Sequence, residues 1–157
     1  MKANHFYVIK DEFFDKVNDP SLMLNKKGRP CYYCIKEQLE PDDIYWMIPL
    51  SSKIEKYKKI MNKRANENKK NDILHICTVH DDIRSVFLIQ NIFPITSKYI
   101  KYEYKIYGKT LILEDNDIKT IEAKARKIIY LLKKGISLSG INKNIPIILE
   151  FLENDIK

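Results

Sequence analysis

The chain of 157 residues has the length of one domain and, with 45% hydrophobic residues, can bury a continuous core. The charged opening does not fit a signal peptide and no apolar run approaches the roughly 20 residues that span a bilayer, so a membrane protein is excluded and a cytoplasmic location is expected. The net charge of +7 favours polyanionic partners, because clustered Lys and Arg release counterions from phosphates.

The first half of the chain predicts a strand, a short helix and a β-hairpin. Short apolar runs bounded by turn residues indicate strands, and apolar residues three or four apart indicate a helical face. In chain order we predict a strand over Phe6–Ile9, a helix over Asp11–Val17 and hairpin arms over Pro30–Ile35 and Ile44–Leu50.

The second half begins with a basic amphipathic helix over Lys53–Asn68, where apolar residues fall at helical spacing among lysines. Two apolar runs then predict central strands, and alternating Tyr and Lys predict a further strand, although a short helix through Ser97–Ile100 is also compatible. The two apolar runs are Ile73–Val79 and Ser85–Ile92, and the alternating run is Tyr99–Tyr107. Two helices follow, over Asp117–Lys134 with Asp117 as N-cap and over Pro146–Leu152.

Strands and helices follow one another at irregular intervals, with hairpin-length turns and without a regular βαβ alternation. This pattern predicts an α+β fold, in which helices surround a twisted, mostly antiparallel sheet or half-barrel. There is no internal repeat and no interdomain linker, so we expect a single domain over residues 1–157.

Two stretches suit a phosphate. Ser51 and Ser52 stand between a strand end and the basic helix, at the positive end of its dipole, although serine before a helix is more often an N-cap. The loop ending Lys26-Lys27-Gly28-Arg29 places cations before the first hairpin arm. If the two arms pair, the start of one lies near the end of the other, so that Arg29 and Ser52 could face one site.

Three cysteines, Cys31, Cys34 and Cys77, lie in apolar runs and fit reduced core thiols better than a disulfide framework. The spacing of Cys31 and Cys34 is that of half a zinc site, but no second CxxC follows and strand geometry would send the two to opposite faces. We therefore expect no metal and no cofactor.

His75 and His80 invite an acid and base interpretation, yet His75 fits a core residue and His80 a turn. Asp42-Asp43 and Asp81-Asp82 could hold a metal, but such doublets in turns are usually solvated.

Tyrosines interleaved with lysines are typical of surfaces that stack unpaired bases and neutralise their phosphates. We expect RNA to contact one loop, one strand and the basic helix. The residues concerned are Lys26, Lys27, Tyr32, Lys56, Lys59, Lys63 and Arg64.

Several motifs in this order resemble the ToxN/AbiQ family of endoribonuclease toxins from type III toxin–antitoxin systems, and within it the CptN branch. They cover about the first two-thirds of the chain. They are His5–Ile9 followed by Phe13-Phe14, Arg29-Pro30 before an apolar strand, Pro49–Lys53 (PLSSK) and Leu88–Pro94 (LIQNIFP).

This resemblance implies a fold similar to the Kid and MazF toxins. It implies metal-independent cleavage of RNA that leaves 2′,3′-cyclic phosphate and 5′-hydroxyl ends, and a role in phage defence by abortive infection or in plasmid or genome maintenance. The partner would be a repeated RNA pseudoknot, the antitoxin, which the enzyme processes and which inhibits it in an alternating protein–RNA assembly. Cellular or phage mRNA would be the substrate.

Carried over by position, the catalytic hydroxyl of the family falls on Ser52, with Ser51 beside it, and Lys53 matches a following lysine. The catalytic lysine falls on Arg29, which is a departure because a guanidinium does not readily release its proton. Arg29 would therefore stabilise charge rather than act as a base. No counterpart of a later family tyrosine is evident.

Two other functions compete with this one. A non-catalytic, basic RNA-binding regulator would explain the lysine-rich helix and the tyrosines equally well. A protein-interaction module, with the charge serving solubility, is the third alternative.

Overall fold

The backbone of the central sheet follows the apolar runs of the sequence. A computed structural model describes residues 1–138 and 140–157. The strands of the main sheet are β1 (Phe6–Ile9), β2 (Pro30–Glu37), β3 (Ile44–Ser51), β4 (His75–His80), β5 (Ile83–Phe87), β6 (Phe93–Ile95) and β7 (Ile100–Glu103). Within these residues, two further strands, β8 (Lys105–Ile106) and β9 (Lys109–Thr110), pair only with each other.

The strand order of the main sheet is β4-β5-β3-β2-β1-β7, and β6 also pairs with β3. Every one of these pairings is antiparallel. In the described part of the chain, four α-helices accompany the sheet: α1 (Asp11–Val17), α2 (Ile54–Asn66), α3 (Asp115–Lys133) and α4 (Ile145–Asp155). The predicted α+β class with a mostly antiparallel sheet is thus confirmed.

Helix α3 shows why the amphipathic pattern of the sequence predicted a helix and its buried face. Its fully buried residues recur three or four apart and form one stripe against the core, because a turn of helix takes 3.6 residues. That stripe consists of Ile121, Ala125, Ile128, Ile129 and Leu132. The helix begins three residues earlier than predicted, because Glu114 rather than Asp117 is its N-cap.

Aromatic side chains fill much of the remaining core. Trp46 is completely buried, and its indole N–H donates a hydrogen bond to Glu37 Oε1 at 3.0 Å. The rings of Phe13 and Phe93 are stacked with centroids 5.8 Å apart, which joins α1 to β6. Such ring pairs add stability beyond the area that they bury.

The predicted strand over Ser85–Ile92 is wrong in its second half. The chain leaves β5 at Phe87, makes a single helical turn over Ile89–Asn91, and returns as β6. Both pieces pair with the same edge of β3, β5 near Ser51 and β6 at Tyr45–Met47. The run is apolar throughout because the turn itself is covered, with Ile89 fully buried.

The run Ile73–Val79 was predicted to form a central strand, but the strand that it forms, β4, lies at one edge of the main sheet. Likewise, the run Tyr99–Tyr107 is divided between the end of a helical turn at Ser97–Tyr99, strand β7 and strand β8. Among the described residues, no helix is both long and apolar enough to cross a membrane.

Candidate functional site

The start of β2 and the end of β3 meet at one end of the hairpin. Cys31 and Pro49 form the last pair of the β2–β3 ladder, Arg29 lies two residues before Cys31, and Ser51 lies two residues after Pro49. Residues directly opposite in an antiparallel pair have Cα atoms about 4.5 to 5.5 Å apart and share a face of the sheet. The fold therefore brings together the two stretches that the sequence analysis selected for a phosphate.

The two adjacent serines have different surroundings. The Ser51 hydroxyl accepts a hydrogen bond from the Lys53 backbone N–H at 3.2 Å, and the Ser51 carbonyl accepts one from the Ser85 hydroxyl at 3.2 Å. The Ser52 side chain is exposed, and its hydroxyl forms no hydrogen bond with the residues that the structure describes. Ser52 is thus the hydroxyl that remains available to a ligand.

Neither serine is the N-cap residue of helix α2. Helix α2 begins at Ile54, and its N-cap residue is Lys53, whose side chain does not cap. The Ile54 backbone N–H is bonded by the Ser52 carbonyl oxygen at 2.9 Å, so the Ser52 hydroxyl is not needed there. An exposed hydroxyl beside the first turn of a helix lies in the positive end of the helix dipole.

The cations at this end of the hairpin are of two kinds. Arg29 and Lys53 are exposed and form no ion pair with any described residue. Lys26, in contrast, forms a salt bridge with Asp15 at 2.5 Å. The Lys27 backbone N–H donates to Asp11 Oδ1 at 2.9 Å, while its side chain is exposed. Arg29, Lys53 and Lys27 are therefore the cations free to neutralise a bound anion.

Tyr102 is a candidate that the sequence analysis did not assign to the site. On β7 it pairs with Val8 of β1, which in turn pairs with Pro30 of β2. Its side chain is 50% exposed, and its hydroxyl lies 4.0 Å from the point where a Cβ atom on Gly28 would stand. Only the strand order β2-β1-β7 brings this tyrosine to the residue before Arg29, which periodicity cannot show.

Helix α2 presents lysines to solvent beside the serines. Lys56, Lys59 and Lys63 are exposed, and Lys56 stands over the ring of Tyr57 with 5.2 Å between Nζ and the centroid. Arg64 is half-buried, and its Nε and Nη2 donate to the Lys70 carbonyl at 3.3 and 2.9 Å. Arg64 thus holds the loop after the helix, while the lysines are available to a ligand.

The assignment of Tyr32 to an RNA surface is wrong. The side chain is 1% exposed, packs against the rings of Phe6 and Phe87, and donates its hydroxyl hydrogen to Asn4 Oδ1 at 2.9 Å. Burial raises the pKa of this tyrosine well above its ordinary value. A ring enclosed in this way offers no face to a base, so Tyr32 is a core residue.

A second group of chemically capable side chains lies where β4 meets α3. His75 Nε2 and Asp117 Oδ1 are 2.8 Å apart, and both side chains are largely buried. The buried Cys77 adds a thiol, and the three potential ligand atoms all lie within 4.8 Å of one another. Burial raises the pKa of the Cys77 thiol to about 12. The sequence analysis missed this group because Asp117 is 42 residues away from His75 along the chain.

A further histidine and carboxylate pair ties the N-terminal segment to β7. His5 Nδ1 lies 2.5 Å from Glu103 Oε1, and this hydrogen bond lowers the pKa of Glu103. Lys105 also contacts Glu103, at 3.4 Å. The His5–Glu103 and His75–Asp117 pairs each join separate elements of the fold, so both histidines help to hold the fold together.

Comparison with known protein families finds no family model that matches this chain, and comparison with characterised proteins finds no match.

Proposed function

We propose that this chain is a metal-independent endoribonuclease, a toxin of a type III toxin–antitoxin system. The observation that supports the proposal is the pairing of Cys31 with Pro49, which brings two segments to the same end of the hairpin: Arg29, exposed and without an ion pair among the described residues, and Ser51-Ser52-Lys53 at the start of a lysine-rich helix. Cations and hydroxyls converging beside a helix N-terminus are what a scissile phosphate needs.

In the proposed reaction, the ribose 2′-hydroxyl attacks the adjacent phosphorus atom. The O2′–P bond forms as the 2′-hydroxyl releases its proton to water, the P–O5′ bond breaks as O5′ takes up a proton, and the products carry a 2′,3′-cyclic phosphate and a 5′-hydroxyl. Ser52, whose hydroxyl bonds none of the described residues, and its neighbour Ser51 would hydrogen-bond the reacting groups. Arg29 and Lys53 would neutralise the charge that develops on the phosphorane, because a guanidinium remains charged throughout.

Tyr102 supplies the group that the sequence alone did not offer. Its hydroxyl lies near Gly28, one residue from Arg29, and half of its surface is open to solvent. We assign it to donate a proton or hydrogen bond to the 5′-oxygen as that oxygen leaves.

The resemblance to the ToxN/AbiQ family extends this proposal to partner and role. A repeated RNA pseudoknot antitoxin would be processed and would then occupy the site, and mRNA of the cell or of an infecting phage would be the target. The proposal also includes a Kid/MazF-like arrangement of the α+β fold and a cytoplasmic location. An inhibitory RNA partner suits a chain whose net charge is +7.

The rival function, a non-catalytic RNA-binding regulator, is favoured by one observation of its own. The exposed lysines of α2 could bind phosphates without any chemistry nearby. The two functions differ in one product, because only the nuclease generates new 5′-hydroxyl ends.

The test is incubation of total cellular RNA with purified protein in excess EDTA, followed by mapping of 5′-hydroxyl ends. We expect cleavage by the wild type, loss of more than about 100-fold with Ser52→Ala, and little change with the control Ser97→Ala, since removing one transition-state donor typically costs that much. Ser97 is also exposed, but it begins the helical turn before β7 and bonds Asp42 in the β2–β3 turn, at the other end of the hairpin. Undiminished cleavage by Ser52→Ala would remove Ser52 from the site, and RNA binding without cleavage by the wild type would favour the regulator.

A further inference from the structure

We propose that His75, Cys77 and Asp117 form a binding site for one divalent ion of the Zn²⁺ class, joining the edge strand β4 to the first turn of helix α3. This site is independent of the proposed nuclease centre. It adds a metal-dependent contribution to folding stability and takes no part in RNA cleavage.

The placement of the three residues is the first argument. His75 and Cys77 are two positions apart on one strand, so their side chains leave the same face of the sheet. Asp117 approaches that face from the first turn of α3. Three donor atoms of three kinds, an imidazole nitrogen, a sulfur and a carboxylate oxygen, thereby come within 4.8 Å of one another.

The distances are within reach of a coordinated ion. Zn²⁺ binds nitrogen and oxygen at about 2.0 to 2.2 Å and sulfur at about 2.3 Å, which in a tetrahedron sets ligand atoms roughly 3.3 to 3.8 Å apart. Small side-chain rotations would separate His75 and Asp117 from their present 2.8 Å and draw the Cys77 sulfur inward. The ion would then replace the hydrogen that the imidazole now donates to the carboxylate.

The donor set selects the kind of ion. A thiolate with an imidazole suits Zn²⁺ and its tetrahedral relatives, whereas Mg²⁺ and Ca²⁺ prefer oxygen ligands alone. Three protein ligands leave one position of the tetrahedron for water. The His75 and Asp117 side chains retain 16% and 25% exposure, so solvent can reach that position.

The charges also balance. A thiolate and a carboxylate together carry two negative charges, which a divalent ion neutralises, so the occupied site costs less to bury than the separated charges. The other charged groups near Cys77 are Arg84 and Glu114, which are of opposite sign. Cys77 would lose its proton only when the metal binds, because metal coordination favours the thiolate.

Strand β4 is the element that such an ion would stabilise. It lies at the edge of the sheet and has β5 as its only strand neighbour among the described residues. Its preceding residue, Leu74, is already tied to α3, since the Lys124 ammonium donates to the Leu74 carbonyl at 2.8 Å. An ion bridging β4 and α3 would strengthen the same junction.

The probe is Co²⁺, added to the reduced, RNA-free, chelator-treated full-length protein. We expect one equivalent to bind with micromolar or tighter affinity, with the visible bands of tetrahedral Co²⁺ and a near-ultraviolet thiolate-to-cobalt charge-transfer band, and Zn²⁺ to displace it. Cys77→Ser should lose the charge-transfer band. The matched control Cys34→Ser, at a half-buried cysteine of β2, should keep it. No band in the wild type, or a band that persists in Cys77→Ser, would overturn the proposal.

A second variant guards against misfolding. Asp117→Asn preserves the size of the side chain and a hydrogen bond to His75 but removes the charge. We expect at least a tenfold loss of Co²⁺ affinity with an unchanged circular dichroism spectrum in EDTA, and unaltered affinity would contradict the site. Zn²⁺ should raise the Tm of the wild type but not that of Cys77→Ser. Cleavage assays in EDTA report on the nuclease separately, so failure of one proposal leaves the other intact.

Discussion

Ser51 and Ser52 are neighbours in the chain, but the backbone uses only one of their hydroxyls. Ser51 accepts from the Lys53 N–H, whereas the carbonyl of Ser52 rather than its hydroxyl meets the next backbone donor, on Ile54. A hydroxyl with no task in the fold and an exposed position is a better candidate for chemistry than one that caps a turn. This difference between two identical side chains could not be read from the sequence.

Arg29 should be needed for cleavage more than for folding. It is exposed and forms no ion pair with a described residue, so Arg29→Ala should leave the fold intact. We expect Arg29→Ala to lower the cleavage rate about 100- to 1000-fold, the usual cost of losing one charge-stabilising donor, and Arg29→Lys to restore part of it. Single-turnover cleavage measures the rate, and thermal melting measures the stability. A fall in the Tm of Arg29→Ala that accompanies the loss of rate would indicate a structural role instead.

Tyr102 should contribute as a proton or hydrogen-bond donor. Tyr102→Phe removes only the hydroxyl that lies near Gly28, and we expect at least a tenfold loss of cleavage rate. Tyr107→Phe is the matched control, since that tyrosine is 93% exposed on the turn after β8. If both variants cleave at the wild-type rate, the leaving oxygen is protonated by another group.

At the scale of elements, hydrophobic periodicity predicted where strands begin and end along the chain, but it did not predict which elements pack against them. Strand β1 begins and ends where the sequence predicts, and both hairpin arms start at the predicted residues. The run that forms β5 and β6 was predicted as one strand, because a covered turn has the same apolar composition as a strand. Tyr32 was misassigned for a similar reason: alternation separates two faces of a strand but does not say that both are covered.

Asp155 at the end of α4 gives a pH-dependent prediction at this scale. Lys98 Nζ lies 2.6 Å from Asp155 Oδ2, and the buried Tyr99 donates its hydroxyl hydrogen to the same oxygen. Burial raises the pKa of Asp155, but these hydrogen bonds outweigh it and leave the pKa below its usual value. The ionised carboxylate therefore stabilises the docking of α4 above about pH 4, and this contribution is lost as pH falls through the folded-state pKa.

Asp155→Asn should therefore cost about 2 kcal/mol in the free energy of unfolding at pH 7, since it removes charge-assisted hydrogen bonds. The difference from wild type should be smaller at pH 3, because that pH is below the unfolded-state pKa of about 3.9 and part of the stabilisation by the ionised carboxylate is then lost. Urea unfolding at the two pH values measures it. Asp81→Asn is the control, because Asp81 is an exposed turn residue 3.4 Å from His80 and should change stability little. If Asp155→Asn lowers the free energy of unfolding equally at both pH values, the charge of the Asp155 carboxylate does not contribute to stability.

For the molecule as a whole, the sequence predicted the class of fold and the lysine-rich helix, but not which of the cations already have a partner in the fold. Lys59 and Lys63 lie one helical turn apart on the exposed side of α2, the helix that follows Ser52. Lys26, in contrast, is neutralised by Asp15 within the fold. Only the pairing pattern distinguishes a lysine that can bind a phosphate from one that already has a partner.

RNA affinity should consequently depend on salt through α2. The logarithm of affinity falls with the logarithm of salt concentration by about 0.7 for each single-stranded phosphate contacted, so replacing Lys59 and Lys63 by Gln should reduce the slope by about 1.4. The control replaces Lys143 and Lys157, which are also exposed but lie in the C-terminal segment, and changes the net charge equally. Fluorescence anisotropy with a labelled single-stranded RNA, in EDTA and with Ser52→Ala to prevent cleavage, measures the slopes. Identical slopes for the two double variants would mean that α2 is not the surface that binds RNA, because net charge alone would then account for the attraction.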